Sequence, residues 1–519
     1  MTRARRRWLI CAAVLTPPFL LLSFCRLFFR LPSLEGRSFT TSLAETASTR
    51  LGQAVAGQAA AHPGCSGVYG LRDGRDALAA RLLLVEATER TLDVQYYIWQ
   101  NDLSGTLLFA ALMRAADRGV RVRLLLDDNN TRGLDERLAA LDSHPNVEVR
   151  LFNPFTLRRW RALGYLTNFS RLNRRMHNKS LTADGQLTIV GGRNMGDEYF
   201  GAAASVAFAD LDVLVAGPAA RETALDFDRY WNSQSSYPAD GILRSAGPAA
   251  RDALMRAAEH LAREPRAAPY LQAVAQRPLV RDLIAGRLAL DWVPVRLISD
   301  DPAKGLARAP VASLIWPRLK QALGTPRDRL ELVSPYFVPT KSGTDALAML
   351  AKQGVKIIVL TNSLEATDVA LVHAGYAKRR RALLAAGIEL LEMKREFADA
   401  SPRDRGFAGS SASSLHAKTF AVDRERVFVG SFNFDPRSAR LNTELGFVIE
   451  SPRMAGAIDD VLEREIANRA YRVRLNSGHL QWIERIGGRD VVHTTEPRSG
   501  FWRRTTVWLF SWLPIEWLL

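Results

Sequence analysis

Two histidines, each followed by a lysine and an aspartate at fixed spacing, are the residues of this sequence best suited to chemistry. The first set is His177, Lys179 and Asp184, in the pattern H-x-K-x(4)-D. Side chains two positions apart on a β-strand point to the same face, so the imidazole and the ammonium can face one ligand. An imidazole that attacks or protonates, beside an ammonium that neutralises oxygen charge, suits a tetrahedral phosphate.

A second set repeats the first in register. His416, Lys418 and Asp423 have the same spacing, and in both copies a glycine-rich turn leads to an asparagine 17 positions after the histidine (177 to 194 and 416 to 433). The glycines let the backbone approach closely, and the side-chain amides of Asn194 and Asn433 offer donors to an anion. Agreement at five positions is hard to reconcile with chance, so the sequence predicts one duplicated phosphate-handling site.

Further carboxylates accompany the two motifs. Asp184 and Asp423 have the opposite strand parity from their histidines, so we expect them to orient the adjoining loops by hydrogen bonds rather than to transfer protons. Asp210 lies in the predicted strand FADLDVLVA and Glu444 in the predicted strand NTELGFVIE, and aligning these two strands pairs the two residues. A carboxylate bound to one imidazole nitrogen fixes the tautomer and stabilises the cation formed in turnover. Asp212 is an open alternative to Asp210, and a surface acid is the alternative for either position.

Composition limits the classes of partner and cofactor. The formal net charge is +16 and the pI is about 10.1, so the surface attracts anions such as nucleic acid or anionic lipid headgroups. An arginine-rich soluble surface is the other interpretation. Only three cysteines occur, and two lie near the N-terminus, which allows neither a disulfide framework nor a zinc cluster. We therefore predict chemistry without a metal or another cofactor.

The N-terminus has the pattern of a membrane signal. An apolar run from Trp8 to Cys25 follows a basic start, and Pro17 and Pro18 interrupt it. Its length is about that needed to span a bilayer, and arginines are denser before it than after it. The prediction is an uncleaved signal anchor over 1–32, with a cleaved signal peptide as the alternative. The body of the protein would then lie on the periplasmic side of a bacterial inner membrane.

The order of elements is α/β and occurs twice. The strand pattern Thr91–Trp99 returns at Leu330–Val338, and that of Val120–Leu126 returns at Val355–Thr361. Such a duplication predicts two similar domains about a pseudo-twofold axis, with a shared site at their interface. The predicted order is an N-terminal signal segment (1–32), a connector (33–75), a first domain (76–235), a linker or helical insertion (236–310), a second domain (311–475) and an aromatic C-terminal segment (476–519).

Four other features bear on function. Three of them have two interpretations each, and the fourth is interpreted from its composition. The basic, aromatic stretch 158–175 suits a phosphate-binding lip or a solvated loop with buried aromatics. His373 and Tyr376 either touch a headgroup or are structural. The C-terminal stretch 501–519 holds four tryptophans and two arginines, which suits a bilayer interface or a tail packed on the core. The Gly/Ser-rich stretch 395–414 is predicted to be a mobile loop.

These motifs resemble the signature of the phospholipase D superfamily, which has two H-x-K-x(4)-D motifs, each followed by G-[GS]-x-N. The phrases LDVQYYIW, LLLDDNN, MHNKS, GGRNMGDEYF and FNFDPRSARLNTE resemble its bacterial cardiolipin synthase branch, of the C type. The resemblance runs from about residue 75 to about residue 470. It implies an α/β fold of two phospholipase D-like α-β-α sandwich domains with the active site between them.

The resemblance also implies a mechanism and residue roles. It implies a two-step transfer through a phosphohistidine, with His177 as the nucleophile and His416 as the acid and base. Lys179, Lys418, Asn194 and Asn433 would bind the phosphate oxygens, with help from Ser431. The predicted catalytic set is His177, Lys179, Asp184, His416, Lys418 and Asp423, and the predicted substrate-binding set is Asn194, Asn433, Ser431, Asp210 and Glu444.

The acceptor decides which activity results. If the glycerol hydroxyl of phosphatidylglycerol attacks, the product is cardiolipin; if water attacks, a hydrolytic phospholipase D releases phosphatidic acid. Phosphatidylethanolamine is a further candidate lipid. A nuclease of the same superfamily fits the net charge, but the predicted anchor and the aromatic C-terminal segment argue against nucleic acid. The predicted partners are therefore phospholipids and a membrane surface.

Overall fold

The computed structural model describes residues 30–201, 210–276, 279–395, 415–513 and 516–519. Nearly all of the predicted N-terminal anchor and of the predicted mobile loop at 395–414 lies outside these residues. Within the described ranges, every helix is too short or too polar to cross a bilayer.

Among these residues, two mixed β-sheets dominate the structure. The strands of the first sheet are β1 (Ser66–Leu71), β2 (Thr91–Ile98), β3 (Arg121–Asn130), β4 (Val147–Phe152), β5 (Ser180–Ala183), β6 (Leu187–Gly191), β7 (Asp212–Ala216), β8 (Ser236–Pro238) and β9 (Asp291–Val293). They lie in the order β8-β4-β3-β2-β5-β6-β7-β1-β9.

The second sheet is built in the same way. Its strands are β10 (Val295–Ser299), β11 (Arg329–Val333), β12 (Lys356–Asn362), β13 (Glu389–Met393), β14 (Thr419–Val422), β15 (Arg426–Gly430), β16 (Leu445–Ile449), β17 (Ala470–Asn476), β18 (His479–Ile486) and β19 (Arg489–His493). They lie in the order β10-β16-β15-β14-β11-β12-β13-β17-β18-β19.

Helices connect these strands and cover the sheets. The α-helices are α1 (Arg50–Ala61), α2 (Gly74–Ala87), α3 (Leu103–Asp117), α4 (Asp135–Asp142), α5 (Arg161–Leu172), α6 (Asp197–Phe200), α7 (Pro218–Trp231), α8 (Pro248–Ala262), α9 (Ala268–Gln276), α10 (Leu279–Ile284), α11 (Ile315–Leu323), α12 (Thr340–Lys352), α13 (Ala370–Ala385), α14 (Pro436–Arg440), α15 (Pro452–Asp460) and α16 (Phe501–Ser511). Short 3-10 segments join several of them.

The two sheets share a seven-strand arrangement, which confirms the predicted α/β fold with two similar domains. In each sheet three parallel strands (β2, β3, β4 and β11, β12, β13) lie beside an antiparallel set that begins with the strand after the motif histidine. Helices cover both faces of the first sheet. On β3, Leu124 belongs to the core shared with α3, whereas Leu125 packs with Phe227 and Trp231 of α7. This alternation gives the sandwich its two apolar layers.

The two halves meet through the antiparallel strands next to the motifs. Val190 and Val213 of the first half form one buried cluster with Val427, Val429 and Phe447 of the second. Because β6 and β7 pack on β15 and β16, the two motifs are brought to the same interface.

The predicted linker at 236–310 and the predicted C-terminal segment both contribute strands. β8 and β9 lie at the two edges of the first sheet, and β10 occupies in the second sheet the place that β1 occupies in the first. Helices α8, α9 and α10 also lie within 236–310. The segment 476–519 begins with strands β18 and β19 and ends with helix α16, which packs on α13.

Candidate functional site

Each motif histidine is paired with a carboxylate from the opposite half. His177 precedes β5, and its Nδ1 lies 2.8 Å from Oε2 of Glu444, beside β16. His416 precedes β14, and its Nδ1 lies 2.7 Å from Oδ2 of Asp210, beside β7. With Nδ1–H donating to the carboxylate, each imidazole presents Nε2 to the interface between the halves.

The backbone fixes the first of these pairs. The amide of His177 donates to the carbonyl of Thr443 at 2.8 Å, and the amide of Thr443 donates to the carbonyl of Arg175 at 2.9 Å. Glu444 therefore follows directly on a short parallel bridge between the halves. Such a bridge sets the position of its side chain against His177 more firmly than a side-chain contact alone.

The choice between Asp210 and Asp212 is clear from the geometry. Asp212 is buried in a different cluster, where it pairs with Arg81 at 2.8 Å and with Arg193 at 3.3 Å. Asp210 is the residue that reaches His416.

The two carboxylates have different surroundings. Glu444 accepts from the hydroxyl of Ser431 at 2.5 Å, and its own amide donates to Asp300, which pairs with Lys304 at 2.8 Å. At the position equivalent to Ser431 the first half has Gly192, where an added Cβ would lie 2.2 Å from the Asp210 carboxylate. The carboxylate of Asp210 thus packs against the backbone of Gly192, whereas that of Glu444 accepts a hydrogen bond from Ser431.

These surroundings separate the acidities of the two carboxyl groups. Burial, only partly offset by Lys179 and Ser431, raises the pKa of Glu444 to about 7. Burial also opposes ionisation of Asp210, but His416 and Lys418 outweigh it and lower its pKa to about 2. One histidine therefore faces a readily ionised carboxylate, and the other faces a carboxyl group that holds its proton more strongly.

The lysines converge on the histidines from both halves. Nζ of Lys179 donates to the carbonyl of His177 and lies 5.6 Å from the ring centre of Tyr97. Nζ of Lys418 donates to the carbonyl of His416 and lies 3.0 Å from its Nδ1. In their ammonium forms, these two buried groups favour a bound anion.

The pKa of each of the four groups reflects this crowding. Burial, together with the charges of Lys179 and Lys418, lowers the pKa of His177 well below its usual value. Burial and the neighbouring Lys418 lower the pKa of His416 to about 3. Burial also lowers the pKa of Lys418 to about 8 and that of Lys179 well below its usual value. Because each histidine senses the lysine of the other motif, the four side chains share one electrostatic environment.

The motif aspartates lie at the far end of the strands. The carboxylate of Asp184 accepts from the amides of residues 89, 90 and 91 at 2.8–3.1 Å, where β2 begins. Asp423 accepts from the amides of residues 327, 328 and 329 at 2.9–3.1 Å, where β11 begins. The geometry matches the predicted orienting role and not a proton-transfer one, although the role itself stays a prediction.

The two motif asparagines, Asn194 and Asn433, differ in their hydrogen bonds. Oδ1 of Asn194 accepts from the amide of Ile98 at 3.2 Å, and its Nδ2 donates to the hydroxyl of Tyr199 at 3.1 Å. Asn433 is buried, and its Oδ1 has no hydrogen-bond partner among the described residues. Phosphate binding by these amides stays a prediction.

Two tyrosines that the motif analysis missed contact the histidines. The ring of Tyr97 lies edge-on to His177 with 4.9 Å between ring centres, and Tyr199 lies in the same way against His416 at 5.0 Å. Tyr97 lies near the end of β2, and Tyr199 lies five positions after Asn194. Closeness to the motif strands is the sequence feature that could have identified both tyrosines. Both rings narrow the space around the imidazoles.

His373 and Tyr376 lie in a separate buried polar cluster. Nε2 of His373 lies 3.0 Å from Arg380 and 3.3 Å from Glu496, and Tyr376 donates to Glu392 at 3.0 Å. Their side chains thus bind residues of α13, of β13 and of the segment after β19. Of the two interpretations left open by the sequence, the geometry favours the structural one.

Comparison with known proteins gives the same family in both halves. A family model described as "Cardiolipin synthase, PLD-like domain" matches residues 83–231 and again residues 319–466. A protein of Escherichia coli (strain K12) called "Cardiolipin synthase C" is 50% identical over 473 residues, which is 91% of this chain and 100% of that protein. A protein of Helicobacter pylori described as uncharacterized is 31% identical over 88% of this chain and 90% of its own length.

A solved structure supports the fold. The crystal structure of a phosphatidylserine synthase from Haemophilus influenzae aligns over 83% of this chain and 92% of that chain, with a TM-score of 0.52 and 13% sequence identity. At that identity the likeness concerns the fold alone.

Proposed function

Because the chain belongs to the phospholipase D superfamily, and within it to the cardiolipin synthase family, we propose that it is a membrane-associated phosphatidyltransferase that forms cardiolipin. The observation that carries the proposal is the pair of buried histidines, each held by a carboxylate of the other half and flanked by a lysine. Such a pair can attack a phosphodiester and protonate its leaving group without a metal ion.

In the first step His177 is the nucleophile. Its lowered pKa keeps the imidazole neutral near pH 7, and donation from Nδ1 to Glu444 leaves the Nε2 lone pair for phosphorus. As the P–N bond forms, the bond from phosphorus to the leaving alcohol breaks, and protonated His416 gives that oxygen its proton. Lys179 and Lys418 offset the charge on the non-bridging oxygens, and the entering anion in turn favours the protonated form of His416.

In the second step His416 acts as a base instead of an acid. Neutral His416 removes the proton from the incoming hydroxyl as its oxygen attacks phosphorus and the bond to His177 breaks. Asp210, whose pKa is lowered to about 2, is the anionic partner that stabilises the imidazolium at His416. Glu444, whose pKa is raised to about 7, supports a cation less well. The readily ionised Asp210 favours His416 as the acid and base, which leaves His177 as the nucleophile.

The acceptor and donor are identified by a product assay with the purified full chain. Vesicles of phosphatidylglycerol, with and without phosphatidylethanolamine, serve as substrates, and lipid products are separated and quantified. Cardiolipin is the expected product. Phosphatidic acid without cardiolipin would make the protein a hydrolytic phospholipase D, and DNA cleavage without lipid turnover would make it a nuclease.

We place the protein at the bacterial inner membrane with its catalytic body on the periplasmic side. The basic start and apolar run of 1–32 support this placement. A protease added to spheroplasts should cleave the body of the chain while a cytoplasmic marker stays intact. Cleavage only after the inner membrane is broken would put the body in the cytoplasm.

A further inference from the structure

Two helices with exposed apolar side chains lie beside the histidine pair, one in each half of the molecule. On and just before α5 the exposed residues include Trp160 (65% exposed) and Leu166 (68%), with Leu163 and Phe169 also exposed. On and just after α16 they are Phe501, Trp502 (79%), Trp508, Leu509 and Trp512 (74%). Clusters of large apolar side chains at such exposure mark an interaction surface.

Both helices are also basic and contain no acidic residue. The sequences of α5 and α16 include arginines but no aspartate or glutamate. Of the arginines on and beside these helices, five form no ion pair with an acid among the described residues: Arg159, Arg171, Arg174, Arg503 and Arg504. This surface has cations to offer to phosphate groups, together with aromatic rings suited to the headgroup region.

Contacts place α5 at the His177 side of the site. The hydroxyl of Tyr165 donates to Asn129 at 2.7 Å, and the next residue, Asn130, donates to the carbonyl of Tyr97, the ring that lies against His177. α5 follows β4, so it stands beyond the carboxyl ends of the parallel strands, where sites of α/β sheets form.

Contacts place α16 at the His416 side. Arg503 donates to the carbonyl of Thr367, in the loop after β12, and interacts with the adjacent Asp368. Burial lowers the pKa of Lys418, and the charge of Asp368 partly offsets that lowering. Asp368 also accepts a hydrogen bond from the hydroxyl of Tyr336. The opposite face of α16 is covered, because Val507 is buried against Leu364 and Ala374.

Arg437 connects the ends of the two elements. Its Nη2 donates to Oδ1 of Asn173, the residue that ends α5, at 2.8 Å, and its Nε donates to the carbonyl of Leu518 at 3.1 Å. The charge of Arg437 also contributes, after burial and the two lysines, to lowering the pKa of His177. Arg437 thus joins the end of α5 to the residues that follow α16.

We propose that α5 and α16 form one docking surface on which the protein rests against an anionic phospholipid bilayer, with the histidine pair facing the interface. The inference rests on the proposed function, because a phosphodiester lipid can reach buried histidines only if the site opens toward the headgroups. It goes further by assigning the contact to two named helices, one from each half, in addition to the N-terminal segment.

A fluorescence experiment on the full chain tests the docking directly. An environment-sensitive fluorophore is attached to Leu166→Cys, to Trp508→Cys or, as control, to the exposed Leu225→Cys on α7, each with the native cysteines replaced by serine. The proteins are reconstituted into vesicles of phosphatidylglycerol and phosphatidylcholine. Lipids brominated in the acyl chains should quench the first two probes and leave the third unchanged.

A kinetic experiment separates docking from chemistry. The pairs Leu166→Ser with Phe169→Ser and Trp508→Ser with Trp512→Ser should lower turnover of bilayer phosphatidylglycerol by about ten-fold or more. Turnover of monomeric short-chain phosphatidylglycerol should stay within about two-fold of the parent, because both pairs lie outside the histidine site. The exposed Met349→Ser on α12 is the matched control and should change neither.

The outcomes distinguish the two proposals. If neither probe is quenched, or if the serine pairs lose turnover of both substrates equally, the docking surface is refuted. A blue shift that depends on protein concentration in detergent would assign the surface to self-association instead. If the parent makes no cardiolipin from either substrate while both probes are quenched, the proposed function fails and the docking surface stands.

Discussion

The two motif histidines have identical sequence spacing but unequal partners. His177 faces Glu444, whose pKa burial raises to about 7, and His416 faces Asp210, whose pKa is lowered to about 2 despite burial. An ionised carboxylate stabilises an imidazole that must carry a proton, so the partner Asp210 suits His416 as the acid and base. The chemical difference between the duplicated motifs therefore arises in the carboxylates.

This difference predicts how the two alanine variants respond to the leaving group. His416→Ala should lower the turnover of phosphatidylglycerol by about 1,000-fold or more, because the glycerol alkoxide leaves poorly without a proton. With a p-nitrophenyl ester of phosphatidic acid, whose leaving group needs no proton, it should still release a burst of about one p-nitrophenolate per chain. His177→Ala should give no burst with either substrate.

Rapid-mixing absorbance measurements check this prediction. The covalent phosphohistidine should be isolated from His416→Ala after the burst, and mass spectrometry of its peptides should place the added group on residue 177. A burst with His177→Ala and none with His416→Ala would exchange the roles of the two residues.

The raised pKa of Glu444 predicts a pH dependence of stability. Folding raises this pKa from 4.5 to about 7 because of burial, so between these pH values the folded chain holds a proton that the unfolded chain releases. The stability contributed by this group is present below about pH 4.5 and is lost as the pH rises through about 7. Glu444→Gln removes this dependence, so from pH 5 to pH 8 the variant should gain up to about 3 kcal/mol relative to the parent.

Denaturant unfolding at several pH values measures that difference. Glu136→Gln on α4 is the matched control, because its side chain is exposed. A difference between Glu444→Gln and the parent that stays constant from pH 5 to pH 8 would mean that Glu444 is ionised throughout.

The loops that carry the motifs are anchored by the motif aspartates. Asp184 and Asp423 both have left-handed backbone conformations, with φ of 52° and 54°, and each carboxylate accepts amides at the start of β2 or β11. Asp184→Ala should lower the free energy of unfolding by about 2–4 kcal/mol, because amides at the sheet edge lose their acceptor. Any loss of kcat should be small in the molecules that remain folded.

Asp184→Asn supplies the control for this anchoring role. Asparagine tolerates the left-handed conformation and retains one acceptor oxygen, so we expect less than half of the destabilisation seen with alanine. Thermal unfolding and single-turnover kinetics separate stability from chemistry. A large loss of kcat with unchanged stability would give Asp184 a direct catalytic role.

The repeated elements could be predicted because their patterns are local. The strand predicted over Thr91–Trp99 is β2, at Thr91–Ile98, and the strand predicted over Val355–Thr361 is β12, at Lys356–Asn362. Strand β10 was missed because its five residues include Arg296 and lie between Pro294 and two aspartates, and only pairing with β16 makes them a strand. Local periodicity carries no information about such a distant partner.

The sequence predicted which residues form the site, but it did not predict which carboxylate pairs with which histidine. Sequence alignment of the halves singled out Asp210 and Glu444, yet it could not show that each would reach the histidine of the other half. The separate commitment of Asp212 to Arg81 depends on the packing of α2 against the sheet. The hydroxyl of Ser431 was assigned to the substrate, whereas in the structure it donates to Glu444. These facts arise from tertiary contacts.

The two halves are interdependent through their site. The His177–Glu444 and His416–Asp210 pairs both cross between the halves, and the bridge between Met176 and Thr443 joins their backbones. One chain therefore supplies every member of both pairs. The duplication is not two independent catalysts, because each half lacks the carboxylate that its own histidine uses.

This arrangement predicts that two inactive chains cannot repair each other. Purified His177→Ala and His416→Ala proteins, mixed in one vesicle preparation, should form cardiolipin only at background, because neither chain holds both histidines in one site. The parent mixed with an equal amount of His177→Ala should keep its activity per parent chain, which shows that mixing does not inhibit. Recovery to about one quarter of parental activity would mean that two chains exchange halves to build each site, and the intramolecular pairing would then be wrong.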